Sequence, residues 1–323
     1  MTTKENILLL LENRKGEYIS GEQLASQLGL SRTAVWKAVS GLKEDGFEIE
    51  SAGRLGYRLP ADSDMLSAAA VESRLKNHVF GINIVHETGS TNDDAKALAE
   101  KGAPEFTVIA AHRQTRGKGR LGRKFYSPQG TGIYFSIILR PDIPITESLY
   151  ITTAAAAATA RAIEDVTGRK AGIKWVNDIF ADGKKVCGIL TEASIDMETG
   201  RMQYAVLGIG VNVRSPEGGF PDDIKNVAGY LCTPEDYVPG TRSRLLAAIL
   251  DNFYDYYRQL SMKTFFDEYI SRSILIGKEV TVLHPDHPYT AIVKGIDENC
   301  RLLVSADGKD AVLDSGEVSV KLI

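Results

Sequence analysis

Apolar positions in the first sixty residues recur at helical period and then switch to alternation. Ile7, Leu8 and Leu11 form one helical stripe. Ser20 stands as an N-cap ahead of GEQLASQLG, and Gly29 closes that run. Ser31 opens a third helix, RTAVWKAVSGLKEDG, with Val35, Val39 and Leu42 on its apolar side. Beyond Gly46 the segment FEIESAGRLGYRL alternates around Gly53 and Gly56, which predicts a hairpin. Pro60-Ala61-Asp62-Ser63 reads as a linker. The pattern therefore delimits a first domain at 1–62.

Residues 63–272 mix both periods. Strand-like runs are Ile82–His86, Phe106–Ala111, Ile133–Leu139, Ile173–Phe180, Lys185–Glu192 and Gln203–Val213. Helical runs are Thr91–Lys101, Glu147–Val166 and Arg242–Leu260. Asp182-Gly183 between two strand runs is a two-residue hairpin signal. Strands mostly follow one another without intervening helices, so the chain predicts a mixed sheet in an α+β domain. Residues 273–323 hold short β-type runs, EVTVLH, TAIVKGI, LLVSA, AVLDSG and VSVKLI, which predict a small β-barrel or sandwich.

Composition narrows the class only a little. The alanine run at Ala154–Ala160 is broken by Thr159 and ends at Arg161, too short to span a bilayer. The three cysteines, Cys187, Cys232 and Cys300, form no C-x-x-C pair, so neither a disulfide framework nor a zinc site is expected and a cytoplasmic location is. A net charge of −4 carries no global sign of nucleic-acid binding. Residues 1–60 hold eight basic and eight acidic residues, so charge does not separate a DNA reader from a small helical protein-contact domain. Element order does: two short helices joined at Leu28-Gly29-Leu30 and followed by a hairpin match a winged helix-turn-helix. The second of these helices offers Arg32, Thr33, Lys37 and Ser40 to DNA, and the wing offers Arg54 and Arg58.

Four clusters carry the remaining chemistry. Arg113–Lys124 holds six basic residues, three glycines and no acid. Glycines admit close backbone approach and guanidinium forks suit phosphate, so such a loop can wrap a nucleotide or contact nucleic acid. Lys174-Trp175-Val176-Asn177-Asp178 and Lys184–Glu192 alternate charged and apolar residues, bringing Lys174, Asn177 or Asp178, and Lys185 toward one pocket. Gly208-Ile209-Gly210-Val211-Asn212 is a strand with two glycines where side chains would obstruct a flat ligand.

Read together as Gly89-Ser90-Thr91-Asn92, G-K-G-R-x-G-R-K, K-W-x-N-D, K-x-x-G-I-L-x-E and G-I-G-x-N, in this order, the chain resembles the biotin protein ligase family. With its winged helix it resembles the bifunctional subset that also represses biotin operons. The resemblance implies a class II synthetase-like ligase domain and an SH3-like C-terminal barrel. It implies biotin and ATP as substrates, Mg²⁺ as the ion carried with pyrophosphate, and biotinyl-5'-AMP as both intermediate and co-repressor. The partners it implies are a biotin carboxyl carrier domain of acetyl-CoA carboxylase or a related enzyme, operator DNA and a second copy of the chain, with no membrane. Val176, Lys118 and Phe125 stand where the family often has proline, arginine and tryptophan.

By the same resemblance, Ser90, Thr91, Asn92 and Gln114 would hold biotin's ureido ring, with the peptides around Gly117, Lys118 and Gly119 closing over it. Gly188 and Gly208 would leave room for the thiophane ring and valeryl chain beside Leu190. Lys185 would meet the carboxylate and α-phosphate, and Arg120 and Arg123 the phosphates. Phe125, Lys174, Asn177, Asn212 and Ala228 would line the nucleotide region. Asp178 would aid deprotonation of the acceptor lysine, and the loops Thr115–Lys124 and Arg214–Asn226 would order on ligand. Two other readings share these residues: a biotin-sensing repressor without ligase activity, and a lipoate or other acyl ligase. The full set of phosphate-handling residues disfavours the first and the basic loop disfavours the second.

Overall fold

A computed structural model of the chain describes all residues except Met1, Met197, Thr199, 284–286, 315–318 and 323. The ends of three expected β runs, at His284, Ser315-Gly316, and Val318 with Ile323, lie outside the described residues. Two compact units emerge: 1–78 together with 237–248, and 79–236 together with 249–323.

In the first unit, α1 (Thr3–Asn13) starts at Thr2, whose hydroxyl accepts from the Glu5 amide while the Glu5 carboxylate accepts from the Thr2 amide. α2 (Gly21–Leu28) begins with the same reciprocal device between Ser20 and Gln23. Each cap satisfies donors that the first helical turn leaves orphaned, worth about 1 kcal/mol. Gly29, at φ +63°, ends α2. Ser31 then caps α3 (Arg32–Glu44) through the Ala34 amide. β1 (Glu50–Ala52) and β2 (Gly56–Arg58) make the antiparallel wing, and Tyr57 exchanges two hydrogen bonds with Ile19. Gly56 is required there, because a Cβ would stand 2.1 Å from the Ile19 carbonyl oxygen at φ +99°. Ile7, Leu11, Leu24, Val35, Val39, Leu42, Ile49 and Leu59 form the core.

The linker runs into α4 (Ala68–Glu72), whose Ala69 joins this core. Five residues are too few to show a helical period in the sequence. The Asp64 carboxylate accepts from Tyr237 Oη at 2.7 Å and from the Gly240 amide at 2.8 Å, with Arg242 at 3.3 Å.

The second unit is built on a mixed sheet. Its members are β3 (Gly81–Thr88), β4 (Thr107–Gln114), β5 (Gly132–Leu139), β6 (Gly172–Lys174), β7 (Asp178–Ala181), β8 (Lys184–Ile195) and β9 (Met202–Asn212). They lie in the order β3-β4-β5-β9-β8-β7-β6, and only β3 and β4 are parallel. α5 (Thr91–Glu100) packs Ala95 and Ala99 on Ile109, Ile138 and Val206. α6 (Ser148–Thr167) covers the opposite face: Thr152 bonds Thr191, whose neighbour Leu190 faces the α5 side. Residues Ala154–Ala158 of α6 are fully buried, and small side chains let that helix lie close to the strands.

The expected single run Ile173–Phe180 is two strands with a turn between them. Trp175 and Asn177 leave the alternation because each is held by a backbone carbonyl: Trp175 Nε1 donates to Cys300 O at 2.9 Å and Asn177 Nδ2 to Ile189 O at 2.8 Å. α7 (Thr241–Tyr257) divides between the units, and α8 (Phe266–Ser271) packs on α6. β10 (Glu279–Leu283), β11 (Tyr289–Ile296), β12 (Leu302–Ala306), β13 (Lys309–Leu313) and β14 (Ser319–Leu322) form an all-antiparallel sheet in the order β13-β12-β11-β10-β14.

Candidate active site

The ends of β8 and β9, the first turn of α5 and the basic loop enclose a cavity of about 280 Å³. Every ligand residue assigned by resemblance lines it except Gly117. Gly117 sits behind the wall: its carbonyl accepts from the Phe125 amide at 2.9 Å, and a Cβ there would meet the Phe125 oxygen at 2.4 Å. The loop between them folds on itself as a hairpin, with the Gly119 amide donating to Arg123 O at 2.7 Å.

α5 brings Ser90, Thr91 and Asn92 to the wall through its N-terminal turn. Gln114 Oε1 accepts from the Thr91 amide at 2.9 Å, and its Nε2 donates to Ser127 Oγ at 2.9 Å. A primary amide carries two N–H groups, so one Gln114 donor remains. Asn92 acts as a strut. Its Nδ2 donates to Glu192 at 2.8 Å, its Oδ1 accepts from Ser136 at 2.6 Å, and Lys96 pairs with the same Glu192. Burial alone raises the Glu192 pKa, but the bonds from Lys96 and Asn92 outweigh it and hold the carboxyl below its usual value. Lys118 lines the cavity, and its ammonium pairs with Asp93.

The glycines work differently from the expectation. Gly208 lines the cavity, but the position a Cβ would take there is filled by the Asn92 amide, whose oxygen lies 2.0 Å away. Gly210, the second glycine of the same strand and absent from the assigned set, makes room for Phe125, whose ring would lie 2.5 Å from a Cβ. At Gly188 the same ring comes within 3.3 Å. Phe125 thereby occupies the space above the strand pair, which the G-I-G spacing signals only once a covering ring is known.

Lys185 reaches the cavity because of a β-bulge. The register between β7 and β8 shifts at Ile179/Phe180, so the two-residue alternation that leads back from Gly188 is broken before Lys185. Its Nζ lies 2.6 Å from Asp178 Oδ1, an ion pair without hydrogen-bond alignment, since that buried oxygen has no aligned donor. The Lys185 backbone is zipped to the loop beyond β9: its amide donates to Val227 O and its carbonyl accepts from Gly229 N, each at 2.8 Å. Asn212 Nδ2 holds Gly229 O at 3.0 Å, so Asn212 anchors this loop as well as lining the cavity.

Arg120 donates to Asn177 Oδ1 at 3.2 Å. Burial is the main cause that lowers its pKa; Asp178 opposes the shift and Arg123 adds to it. A guanidinium remains charged at neutral pH regardless. Burial pushes the Cys187 thiol far up and the Cys300 thiol to about 11, so neither is poised as a nucleophile. The cations Lys185, Arg120 and Arg123 around this cavity can neutralise phosphate and carboxylate charge and position reactants.

In the winged helix, Arg32, Thr33 and Lys37 are exposed and Ser40 half-buried, opposite the buried Val35, Ala38, Val39 and Leu42. Arg54 is exposed at the wing tip. Arg58 is paired within the wing: its Nε and Nη2 reach Glu50 Oε2 at 2.9 and 2.6 Å, and it lies 4.7 Å over the Tyr18 ring. It braces the wing.

Comparison with known proteins agrees with this geometry. The Biotin/lipoate A/B protein ligase family profile matches residues 86–212, an HTH domain 3–58, and the Biotin protein ligase C terminal domain 275–321. The bifunctional ligase/repressor BirA of Bacillus subtilis is 39% identical over 232 residues, 71% of this chain and 71% of that protein. The protein of the same description in Escherichia coli is 25% identical over 324 residues, 99% of this chain and 98% of that protein. The Aquifex aeolicus biotin protein ligase, solved in complex with biotin and ATP, superposes with a TM-score of 0.63 at 28% identity, over 75% of this chain and 99% of that one. Fold and site together define a ligase domain of the biotin/lipoate class joined to a helix-turn-helix. The chain belongs to the biotin protein ligase family, in its bifunctional ligase/repressor branch.

Proposed function

We propose that this protein makes biotinyl-5'-AMP from biotin and ATP, transfers the biotin to a lysine of a biotin carboxyl carrier domain, and represses biotin genes as an adenylate-loaded homodimer in the cytoplasm. The observation that carries the ligase reading is the convergence of Lys185, Arg120 and Asp178 on one glycine-floored cavity. Among the described residues no helix is long and apolar enough to cross a membrane.

In the first half-reaction the biotin carboxylate attacks the α-phosphorus of ATP and pyrophosphate leaves. Catalysis is then positioning and charge neutralisation. Lys185 turns from Asp178 to the carboxylate and α-phosphate, while Arg120 and Arg123 grip the phosphates. The ring of Phe125 excludes water above the strand pair. The residues present fit Mg²⁺: the ion is commonly held by one or two carboxylates plus substrate phosphates, and Asp178 Oδ1 is a buried carboxylate oxygen without an aligned donor. When bound, the ion neutralises charge on the leaving pyrophosphate. In the second half-reaction the acceptor lysine attacks the mixed anhydride and AMP leaves, with Asp178 accepting the proton.

Pyrophosphate exchange into ATP tests the assignment. Exchange that depends on biotin, and not on lipoate or octanoate, is expected; lipoate-dependent exchange would make it a lipoate ligase, and none at all a sensor. For regulation, the neutral charge of residues 1–60 implies weak binding of a single winged helix, which a dimer converts to avidity. Loading with adenylate is expected to strengthen both self-association and operator binding more than biotin alone. Sedimentation paired with operator titration at fixed salt measures both, and apo protein that binds the operator equally well at equal dimer concentration refutes the coupling.

A further inference from the structure

α3 carries two stripes at the same spacing. Val35, Ala38, Val39 and Leu42 face the core, and Thr33, Trp36, Lys37 and Ser40 repeat that i, i+3, i+4, i+7 pattern on the other side. Trp36 stands in the middle of the outer stripe and is 59% exposed, whereas the chain's other tryptophan, Trp175, is 5% exposed. An indole is among the most apolar side chains, and this one is left in water by its own domain.

Its surroundings select the occupant. Arg32, Lys37 and Lys43 are the charged residues of α3 before Glu44, and the first turn has no acid. An apolar plate framed by cations and small hydroxyls suits the DNA major groove. There, phosphates flank the base edges, and the thymine C5-methyl is the apolar group that each A·T pair presents.

We propose that Trp36 is a sequence-reading residue, its indole packing on the C5-methyl of a thymine in the bound site. This rests on the DNA-binding reading of the winged helix and adds to it an apolar contact that the basic and hydroxyl residues do not supply.

The test uses the full chain with biotin, ATP and Mg²⁺, and selection from a library of randomised duplexes. Wild type is expected to select a site with at least one fixed thymine. Replacing each thymine in turn by uracil, which removes only the methyl, should weaken wild-type binding about fourfold at one position, the factor that burial of one methyl is worth. Trp36→Ala should bind roughly tenfold more weakly, lose the preference at that position and be indifferent to uracil there. Trp36→Phe should keep the preference and the uracil effect. Thermal melting followed by circular dichroism checks that Trp36→Ala is folded, as its exposure predicts. If Trp36→Ala selects the same site with the same thymine preference, or if no uracil substitution weakens wild type, the proposal is overturned while the repressor reading stands. If wild type selects no sequence at all, both fall.

Discussion

Gly208→Ala adds a single methyl to β9, and the structure fixes what that methyl meets. It would stand 2.0 Å from Asn92 Oδ1 and 2.9 Å from its Cγ. A non-bonded carbon–oxygen approach is about 3.3 Å, so the amide must retreat by about 1.3 Å. It has nowhere to go without loss: Asn92 is 4% exposed and holds Glu192 and Ser136 by hydrogen bonds of 2.8 and 2.6 Å. Two such bonds are worth about 1 kcal/mol each, and overpacking adds about 1–3 kcal/mol where the chain cannot relax fully, giving about 3–5 kcal/mol in all. For a unit of this size the melting midpoint should fall by about 6–20 °C. Ser90 and Thr91 share the displaced turn, so calorimetric biotin affinity should fall roughly tenfold or more. Asn92→Ala removes the opposing oxygen and should therefore cost less in the Gly208→Ala background than in wild type. A Gly208→Ala protein that melts within about 1 °C of wild type and binds biotin normally would refute the Asn92 packing.

Three further outcomes are expected. Lys185→Ala should lower biotin-dependent pyrophosphate exchange by about 10²–10³ with the far-ultraviolet circular dichroism unchanged, and near wild-type exchange would sink its assignment. Arg120→Gly should still make adenylate but release it, labelling bystander proteins with biotin; adenylate made without such labelling would show that Arg120 does not retain it. Burial and the hydrogen bond to Asp64 push the Tyr237 phenol up to about 12, so the folded state keeps this proton longer than the unfolded chain. The associated stability is complete below the unfolded value near 10 and is lost as pH rises toward about 12, amounting to about 1 kcal/mol after allowance for partial exposure. Tyr237→Phe should flatten that alkaline arm in urea titrations, and an unchanged arm would exclude the group.

The winged helix was legible from the chain alone because its signals are local. Ser20, Ser31 and Gly29 act on the turn they begin or end, and the period of Val35, Val39 and Leu42 needs no knowledge of distant residues. The order of the chemical motifs was equally plain, since Ser90, Gln114, Arg120, Lys185 and Gly188 all reach one cavity. Tertiary structure decided what depends on a partner far along the chain. The run Ile173–Phe180 reads as one strand, yet Cys300 and Ile189 draw Trp175 and Asn177 out of it into a turn. The glycines at 208 and 210 announced missing side chains, but Asn92 and Phe125, more than eighty residues away in sequence, are what fill the space. Lys185 points into the cavity through a register shift that no two-residue period contains. Arg58 had the right charge for DNA, and only packing showed that Glu50 and Tyr18 already hold it. Local hydrogen bonding and periodicity are written in neighbouring residues, whereas register, bulges and occupied space follow from which surfaces meet when the chain is closed.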